Sequence, residues 1–169
     1  MPQLALMIGG VPIVLHAGAT AEQHSSLGGP EIVRLSNGVG VPMTHWSRRA
    51  ISVNASGWMP PGLAGLDYSR PLELRSTKPE CIVSAGRQFL MTSAPRPDFA
   101  PWGQALVGKE WVDSPITVDG FGVEVGVVVG ATLYRIGWYP VFNVSGRRPQ
   151  EEGNSSDNTH SWRFDCEEV

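Results

Sequence analysis

Apolar and polar residues alternate one by one in several parts of the chain, a pattern typical of half-buried β-strands. Ile51 and Val53 are separated by polar Ser52, and the closing sequence SWRFDCEEV alternates in the same way. We find no segment with the 3.6-residue apolar stripe and the end caps of an amphipathic helix. The pattern therefore predicts a mainly β fold of about seven to ten strands, either an antiparallel β-sandwich or a partly open barrel with long loops.

Two glycine-containing dipeptides predict β-hairpins. Gly9-Gly10 separates two apolar segments and can supply the positive φ angles of a tight turn, which predicts an N-terminal β-hairpin over residues 1–16. Asn37-Gly38 separates EIVRLS from VGVPMTHW, and Asn-Gly between apolar-alternating segments is the strongest short-range hairpin signal. Pro42 places the second strand of this hairpin at a sheet edge or a bulge, because proline has no N–H to donate.

The segment 57–70 predicts a long, stiff loop between two strands, because prolines fix φ and glycines permit turns within it. Loops normally run over the surface, so the large apolar side chains on this one either fold back onto the domain or contact another molecule. We expect a projecting apolar loop. Its large side chains are Trp58, Met59, Leu63, Leu66 and Tyr68.

The N-terminal hairpin is apolar on both faces, and an isolated two-stranded hairpin is only marginally stable in water. We therefore expect the hairpin and the 57–70 loop to bury most of their apolar area only after assembly with other subunits. The candidate protein-interface residues are Met7, Ile8, Val11 and Ile13 in the hairpin and Trp58, Met59, Leu63, Leu66 and Tyr68 in the loop.

Length and charge restrict the class of protein. A chain of 169 residues fits one domain, 1–169. The net charge of -3 gives no broad positive field for nucleic acid or an anionic membrane. The apolar N-terminus lacks a basic region and is interrupted by glycine and proline, so we expect neither a signal peptide nor membrane insertion, but a soluble protein. Segment 145–160 is polar, and we expect a mobile loop there.

Sequence signatures of catalysis and metal binding are not found. The four histidines are far apart, and the two cysteines, Cys81 and Cys166, match no metal or redox spacing, so we expect free thiols. Two carboxylates could serve a small cell-envelope hydrolase, but any chain of this length offers several. We therefore predict no enzyme, no catalytic residues, no cofactor and no metal. The carboxylates considered are Asp67, Asp98, Asp113 and Asp119.

The tryptophans support an alternative function, because aromatic faces suit carbohydrate rings. Buried tryptophan in a β core is nevertheless the commoner fate, and Trp46 and Trp162 lie in strand-like alternation typical of a core. The candidate platform for a sugar consists of Trp102 and Trp111, with Trp58 as a further candidate. Trp138 and Tyr139 are two further aromatic residues that could stack on a sugar ring.

Five segments in their order along the chain resemble a known class of protein. They are GGVPIVLHAG, RLSNGVGVPMTHW, GWMPPGLAGLDYSRPLELR, GWYPVFNV and SWRFDCEEV. Together they resemble small tail-tip or baseplate-associated proteins of long, non-contractile-tailed bacteriophages. These segments are structural and contain no catalytic signature, so no functional residue is carried over.

The resemblance implies a non-enzymatic structural component of the virion tail, made in the host cytoplasm and built as a β-sandwich or barrel-like domain. The expected partners are copies of the chain and other tail proteins, and no nucleic acid. Apolar projections on a β domain can fill a neighbour's grooves or extend its sheet, so assembly is the expected function. The alternative is a receptor- or carbohydrate-binding β module on the virion, with a host surface glycan as its ligand.

Overall fold

A computed structural model describes residues 4–169, and this part of the chain is mainly β. The one helical element in that range is a single 3-10 turn, Leu15–Ala17. The sheets are antiparallel, and none of those in the described range closes into a barrel. The predicted fold class is therefore confirmed in its sandwich form.

The contacts within the chain cluster into two compact units. The central unit consists of Arg75–Phe142 together with Leu4, and the terminal unit consists of Ala5–Leu74 and Asn143–Val169. The boundary falls inside two strands, Leu72–Arg75 and Pro140–Gly146. The chain length predicted one domain, and a boundary that falls inside strands leaves no separate linker segment for the sequence to reveal.

The terminal unit contains one large antiparallel sheet and one separate two-stranded ribbon. Its strands are β1 (Met7–Ile8), β2 (Val11–Pro12), β3 (Ala21–Gly28), β4 (Glu31–Arg34), β5 (Gly40–Met43), β6 (Ser47–Gly57), β7 (Leu72–Arg75), β16 (Pro140–Gly146), β17 (Gln150–Asn154) and β18 (Thr159–Glu168). The sheet order is β2-β1-β7-β16-β18-β6-β3, with β17 on β18, whereas β4 and β5 pair with each other.

The core of the terminal unit follows from the predicted alternation. Trp162 and Phe164 of β18 lie opposite Ala55 and Val53 of β6, and all four side chains are buried. The polar residues between them point to solvent. The closing amphipathic strand and the strand around residues 51–54 are therefore both confirmed.

The central unit is a small two-sheet sandwich. Its strands are β8 (Glu80–Ser84), β9 (Gln88–Leu90), β10 (Ala94–Pro95), β11 (Trp102–Val107), β12 (Glu110–Ser114), β13 (Ile116–Asp119), β14 (Gly122–Val125) and β15 (Ala131–Trp138). One sheet has the order β12-β11-β15-β8 and the other β13-β14-β9. A cluster of buried side chains from both sheets forms the core: Phe89, Met91, Ala105, Val123, Val125, Tyr134, Ile136 and Trp138.

Both predicted hairpins are present. The Gly9-Gly10 turn joins β1 and β2, with Ile8 opposite Val11, although residues 1–3 of the predicted segment lie outside the described residues. The strand count is higher than expected, at eighteen strands in residues 4–169, because several strands have only two to four residues.

The polar segment 145–160 contains a strand. Gln150–Asn154 pairs with Thr159–Arg163, and Asn158 adopts a φ of 55° in the connecting turn. The prediction of a loop is therefore wrong for this part. A strand of five exposed residues has no apolar alternation, so its pattern gives no signal.

Candidate functional site

The hairpin β4–β5 forms a projection that we call the arm, residues 30–48. All nineteen of these residues are exposed. The predicted Asn-Gly turn closes the arm: Gly38 has a φ of 83°, its N–H donates to the carbonyl of Leu35, and the Asn37 side chain accepts a hydrogen bond from the Val39 N–H. Glycine fits here because a positive φ costs other residues steric energy.

One face of the arm is apolar. Val33 lies directly opposite Val41, and Glu31 lies opposite Met43, so these side chains share a face of the two-stranded ribbon. The backbone hydrogen bond from Leu35 to Val39 extends the same pairing toward the turn. The members of this apolar face are 37–53% exposed: Val33, Leu35, Val39, Val41 and Met43.

Two glycines mark the base of the arm. Gly28 and Gly29 have φ angles of 72° and 108°, and the N–H of Gly29 donates to the carbonyl of Trp46. A Cβ at Gly28 would lie 2.7 Å from the Trp46 ring, so the ring packs against the backbone at this point. Trp46 remains 56% exposed, and its prediction as a core residue is wrong, because alternation does not tell whether anything covers the face.

The predicted interface residues of the N-terminal hairpin fall into two groups. Ile8 and Ile13 are buried within the subunit, which contradicts the expectation that assembly covers them. β1 is an inner strand of the sheet beside β7, so its inward side chains pack in the subunit's own core. Met7 and Val11 are half-buried.

The 57–70 loop also contains both buried and exposed apolar side chains. Leu63 is fully buried, and the Tyr68 hydroxyl donates to the Leu63 carbonyl at 2.6 Å, so the middle of the loop folds back onto the terminal unit. Tyr68 and Leu66 are half-buried. Trp58 and Met59 are 60% and 45% exposed and still project. The expectation of a projecting apolar loop therefore describes only the start of this loop.

A second feature lies in the central unit, where β11 begins and β12 ends. It is a cavity of about 520 Å³, which we call the aromatic cleft. Six of its lining residues define it: Phe99, Trp102, Asp113, Pro115, Ile116 and Tyr139. The rings of Phe99 and Tyr139 are perpendicular with centroids 5.0 Å apart, and the Trp102 ring lies 5.3 Å from that of Tyr139.

Trp102 is held by the backbone of the neighbouring strand. It lies opposite Gly137 of β15, and a Cβ at Gly137 would overlap the indole ring. The absence of a side chain at this position lets the ring lie against the sheet. The Phe99 ring then contacts Trp102 edge-on, at 6.1 Å and 86°.

Trp111 does not join the cleft. The Arg135 guanidinium lies 4.2 Å over the Trp111 ring, which covers one face of the indole. Arg135 also donates to Gln104, and the Gln104 amide donates to the carboxylate of Asp113 at 2.7 Å. This row of side chains crosses β15, β11 and β12 and fixes one oxygen of Asp113, Oδ1, at the edge of the cleft.

The structure separates the remaining aromatic candidates. Trp138 is fully buried in the central core, where its indole N–H donates to Ser93, and Trp162 is buried with its N–H on the carbonyl of Ala17. The prediction of Trp162 as a core residue is confirmed. Phe99 and Asp113 were not recognised as partners of Trp102, because the cleft is formed by segments distant in sequence.

Two of the four carboxylates considered, Asp67 and Asp98, have pKa values shifted away from that of a general acid. Hydrogen bonds from Ser69 lower the pKa of Asp67, and hydrogen bonds from Arg96 lower the pKa of Asp98. A general acid needs the opposite shift, because it must stay protonated near neutral pH.

The cysteines are free thiols in this structure. Cys81 is exposed, whereas burial raises the pKa of Cys166 to about 12, and the nearby carboxylates of Asp165, Glu167 and Glu22 add to the rise. Residues 4–169 contain no group of three or more potential metal ligands. Over the same range, none of the helical structure has the length and apolarity to cross a bilayer.

Comparison of the chain with protein-family models, curated proteins and solved structures finds no match.

Proposed function

We propose that the chain is a non-enzymatic structural component of a bacteriophage tail tip or baseplate, and that it assembles with further copies of itself through the arm. Two observations support the proposal. One is the resemblance of the five sequence segments, of which RLSNGVGVPMTHW includes most of the arm. The other is the exposure of the arm itself.

The exposure of the arm is the observation that carries the proposal. Seven large apolar side chains lie on nineteen consecutive exposed residues, at exposures from 37% to 66%. Five of them share the apolar face of the arm, and exposed apolar faces of this kind mark interaction sites. A two-stranded hairpin alone is also only marginally stable in water. Covering the arm would therefore stabilise it. The seven side chains are Ile32, Val33, Leu35, Val39, Val41, Met43 and Trp46.

A second copy of the chain fits the arm as its occupant. A stable interface takes about 20 to 30 residues from each partner, and the arm with the exposed Trp58 and Met59 approaches that size. Every copy presents the same apolar face, so two arms can meet face to face around a two-fold axis. Open strand edges on β4 and β5 also permit strand addition between copies.

Sedimentation velocity of the purified chain tests the proposal. We expect concentration-dependent oligomers for the wild-type chain and a monomer for the double variant V33K/V41E. Val33 and Val41 are a cross-strand pair, so opposite charges there keep the hairpin paired while they make its face polar. The matched control is Val118→Lys, which changes a valine of similar exposure in β13 of the central unit.

Two results would count against the proposal. One is a wild-type chain that remains monomeric at every concentration. The other is loss of the oligomer in the Val118→Lys control to the same extent as in the arm variant. Circular dichroism of each variant shows whether the fold is retained.

A further inference from the structure

We infer that the aromatic cleft is a binding site for a neutral sugar ring, with Trp102 as the surface on which the ring stacks. The inference uses residues of the central unit alone. It does not depend on the arm or on assembly, so the two proposals can fail separately.

The size and shape of the cleft suit a small ligand. Its volume of about 520 Å³ lies within the usual range for ligand pockets, about 300 to 1,000 Å³. Pro115 and Ile116 line the cleft together with Trp102 and Tyr139. Such a pocket combines apolar walls with few polar groups, as ligand sites generally do.

The stacking surface is fixed before any ligand arrives. The Trp102 ring lies against the backbone at Gly137, and the rings of Phe99 and Tyr139 contact it from the side. A ring that is held in place loses little conformational freedom on binding, which favours affinity. The C–H groups of a sugar carry partial positive charge and match the negative face of an aromatic ring.

The ring spacing argues against a cationic ligand. An aromatic cage surrounds a cation with ring faces, but here the centroids are 5.0–6.1 Å apart and the rings contact one another. No room remains for an ammonium group between them. No lysine or arginine lines the cleft, so an anionic ligand also lacks a counter-charge.

Asp113 favours a sugar over a proline-rich peptide, the other ligand that uses aromatic-lined grooves. Gln104 donates to Oδ1 of Asp113, which leaves Oδ2 to accept a hydrogen bond from a ligand hydroxyl. Asp113 is exposed, so a ligand that covers Oδ2 must replace the water that solvates it with a donor of its own, and proline residues have no N–H to give. Sugar hydroxyls supply such donors directly.

The test is a glycan array that carries neutral and acidic oligosaccharides, titrated with the full chain. We expect saturable binding to at least one neutral glycan. Trp102→Ala should weaken it by about tenfold, and Asp113→Ala by about fivefold. Trp46→Ala is the matched control, because it removes an exposed indole from the terminal unit, outside the row of side chains that positions Asp113, and it should change binding by less than about twofold.

The same titration has clear adverse outcomes. No bound glycan for the wild-type chain, or equal losses in Trp102→Ala and Trp46→Ala, overturns the inference. Binding of a decaproline peptide that needs Trp102, with no neutral glycan bound, assigns the cleft to peptides instead. If circular dichroism shows that Trp102→Ala is unfolded, the variant Asp113→Ala, at an exposed position, becomes the test of the sugar site. Unchanged glycan binding in Asp113→Ala then refutes the inference.

Discussion

Replacement of Arg96 by methionine should destabilise the central unit strongly, although Arg96 lies in a proline-rich connector. The side chain is only 3% exposed. Its guanidinium donates to both oxygens of Asp98, at 2.9 and 2.6 Å, and to the carbonyl of buried Ser76 at 3.1 Å. The guanidinium also donates to the carbonyl of Arg75 at 3.5 Å. Methionine keeps most of the packing volume and removes these hydrogen bonds.

The expected loss follows from the burial of each partner. The Ser76 carbonyl lies in a buried residue, and loss of a charged donor there costs about 1 to 3 kcal/mol. The side chain of Asp98 is 43% exposed, so water replaces much of its interaction and the loss is about 0.5 to 1 kcal/mol. Together we expect the free energy of unfolding to fall by roughly 1.5 to 4 kcal/mol.

The decrease in unfolding free energy caused by Arg96→Met should depend on pH. Hydrogen bonds from Arg96 lower the pKa of Asp98 in the folded state, so the pair stabilises the fold fully above the unfolded pKa of about 3.9. This contribution disappears as the pH falls through the lower folded pKa. The difference between the wild type and Arg96→Met should therefore narrow as the pH decreases below about 4.

Urea unfolding followed by tryptophan fluorescence at pH 7 and at pH 3 measures both effects. The control is Arg70→Met, because Arg70 also pairs with an aspartate, Asp67, but its side chain is 83% exposed. We expect no measurable change for this control. Two results would refute the reasoning. One is an equal free energy of unfolding for Arg96→Met and Arg70→Met at pH 7. The other is a difference in unfolding free energy between the wild type and Arg96→Met that is as large at pH 3 as at pH 7.

Two further predictions concern the terminal unit and the cysteines. Gly18→Ala should lower the free energy of unfolding by about 2 kcal/mol or more, because Gly18 has a φ of 91° and a Cβ would overlap the Ser56 carbonyl. Gly62→Ala, with a positive φ but open space, should cost only about 1 kcal/mol in the same urea experiment, and equal losses would contradict this account. The native chain should react rapidly with one equivalent of Ellman's reagent at Cys81, and Cys166 should react only after unfolding; rapid reaction of both thiols would contradict the burial of Cys166.

Local structure could be predicted well from the sequence where one short pattern determines it. Gly9-Gly10 and Asn37-Gly38 identified two turns, because positive φ angles depend on the residues themselves. The alternation in residues 51–54 and in the closing strand identified the faces that are buried.

Burial was harder to predict, because it depends on which segments meet. Ile8 and Trp46 both lie in apolar patterns, yet Ile8 is fully buried and Trp46 is 56% exposed. Their difference follows from sheet order: β1 has strands on both sides, whereas β4 and β5, which precede Trp46, pair only with each other among the described strands. Sequence alternation carries no information about that order.

The aromatic cleft was predicted only in part. Trp102 was identified by its place in a proline-rich segment. Its partners Asp113 and Tyr139 come from β12 and from the residue after β15, and no spacing rule connects them. The buried role of Arg96 also gave no clear signal, since a charged residue between two prolines normally indicates an exposed connector.

Hydrogen exchange of the arm at increasing chain concentration tests the central claim most directly. If copies of the chain assemble through the arm, the backbone amides of residues 31–43 should exchange fast in dilute solution and become protected as the concentration rises. The central-unit amides should not change. Fast exchange of the arm at every concentration, in a chain that nevertheless forms oligomers, would contradict the account.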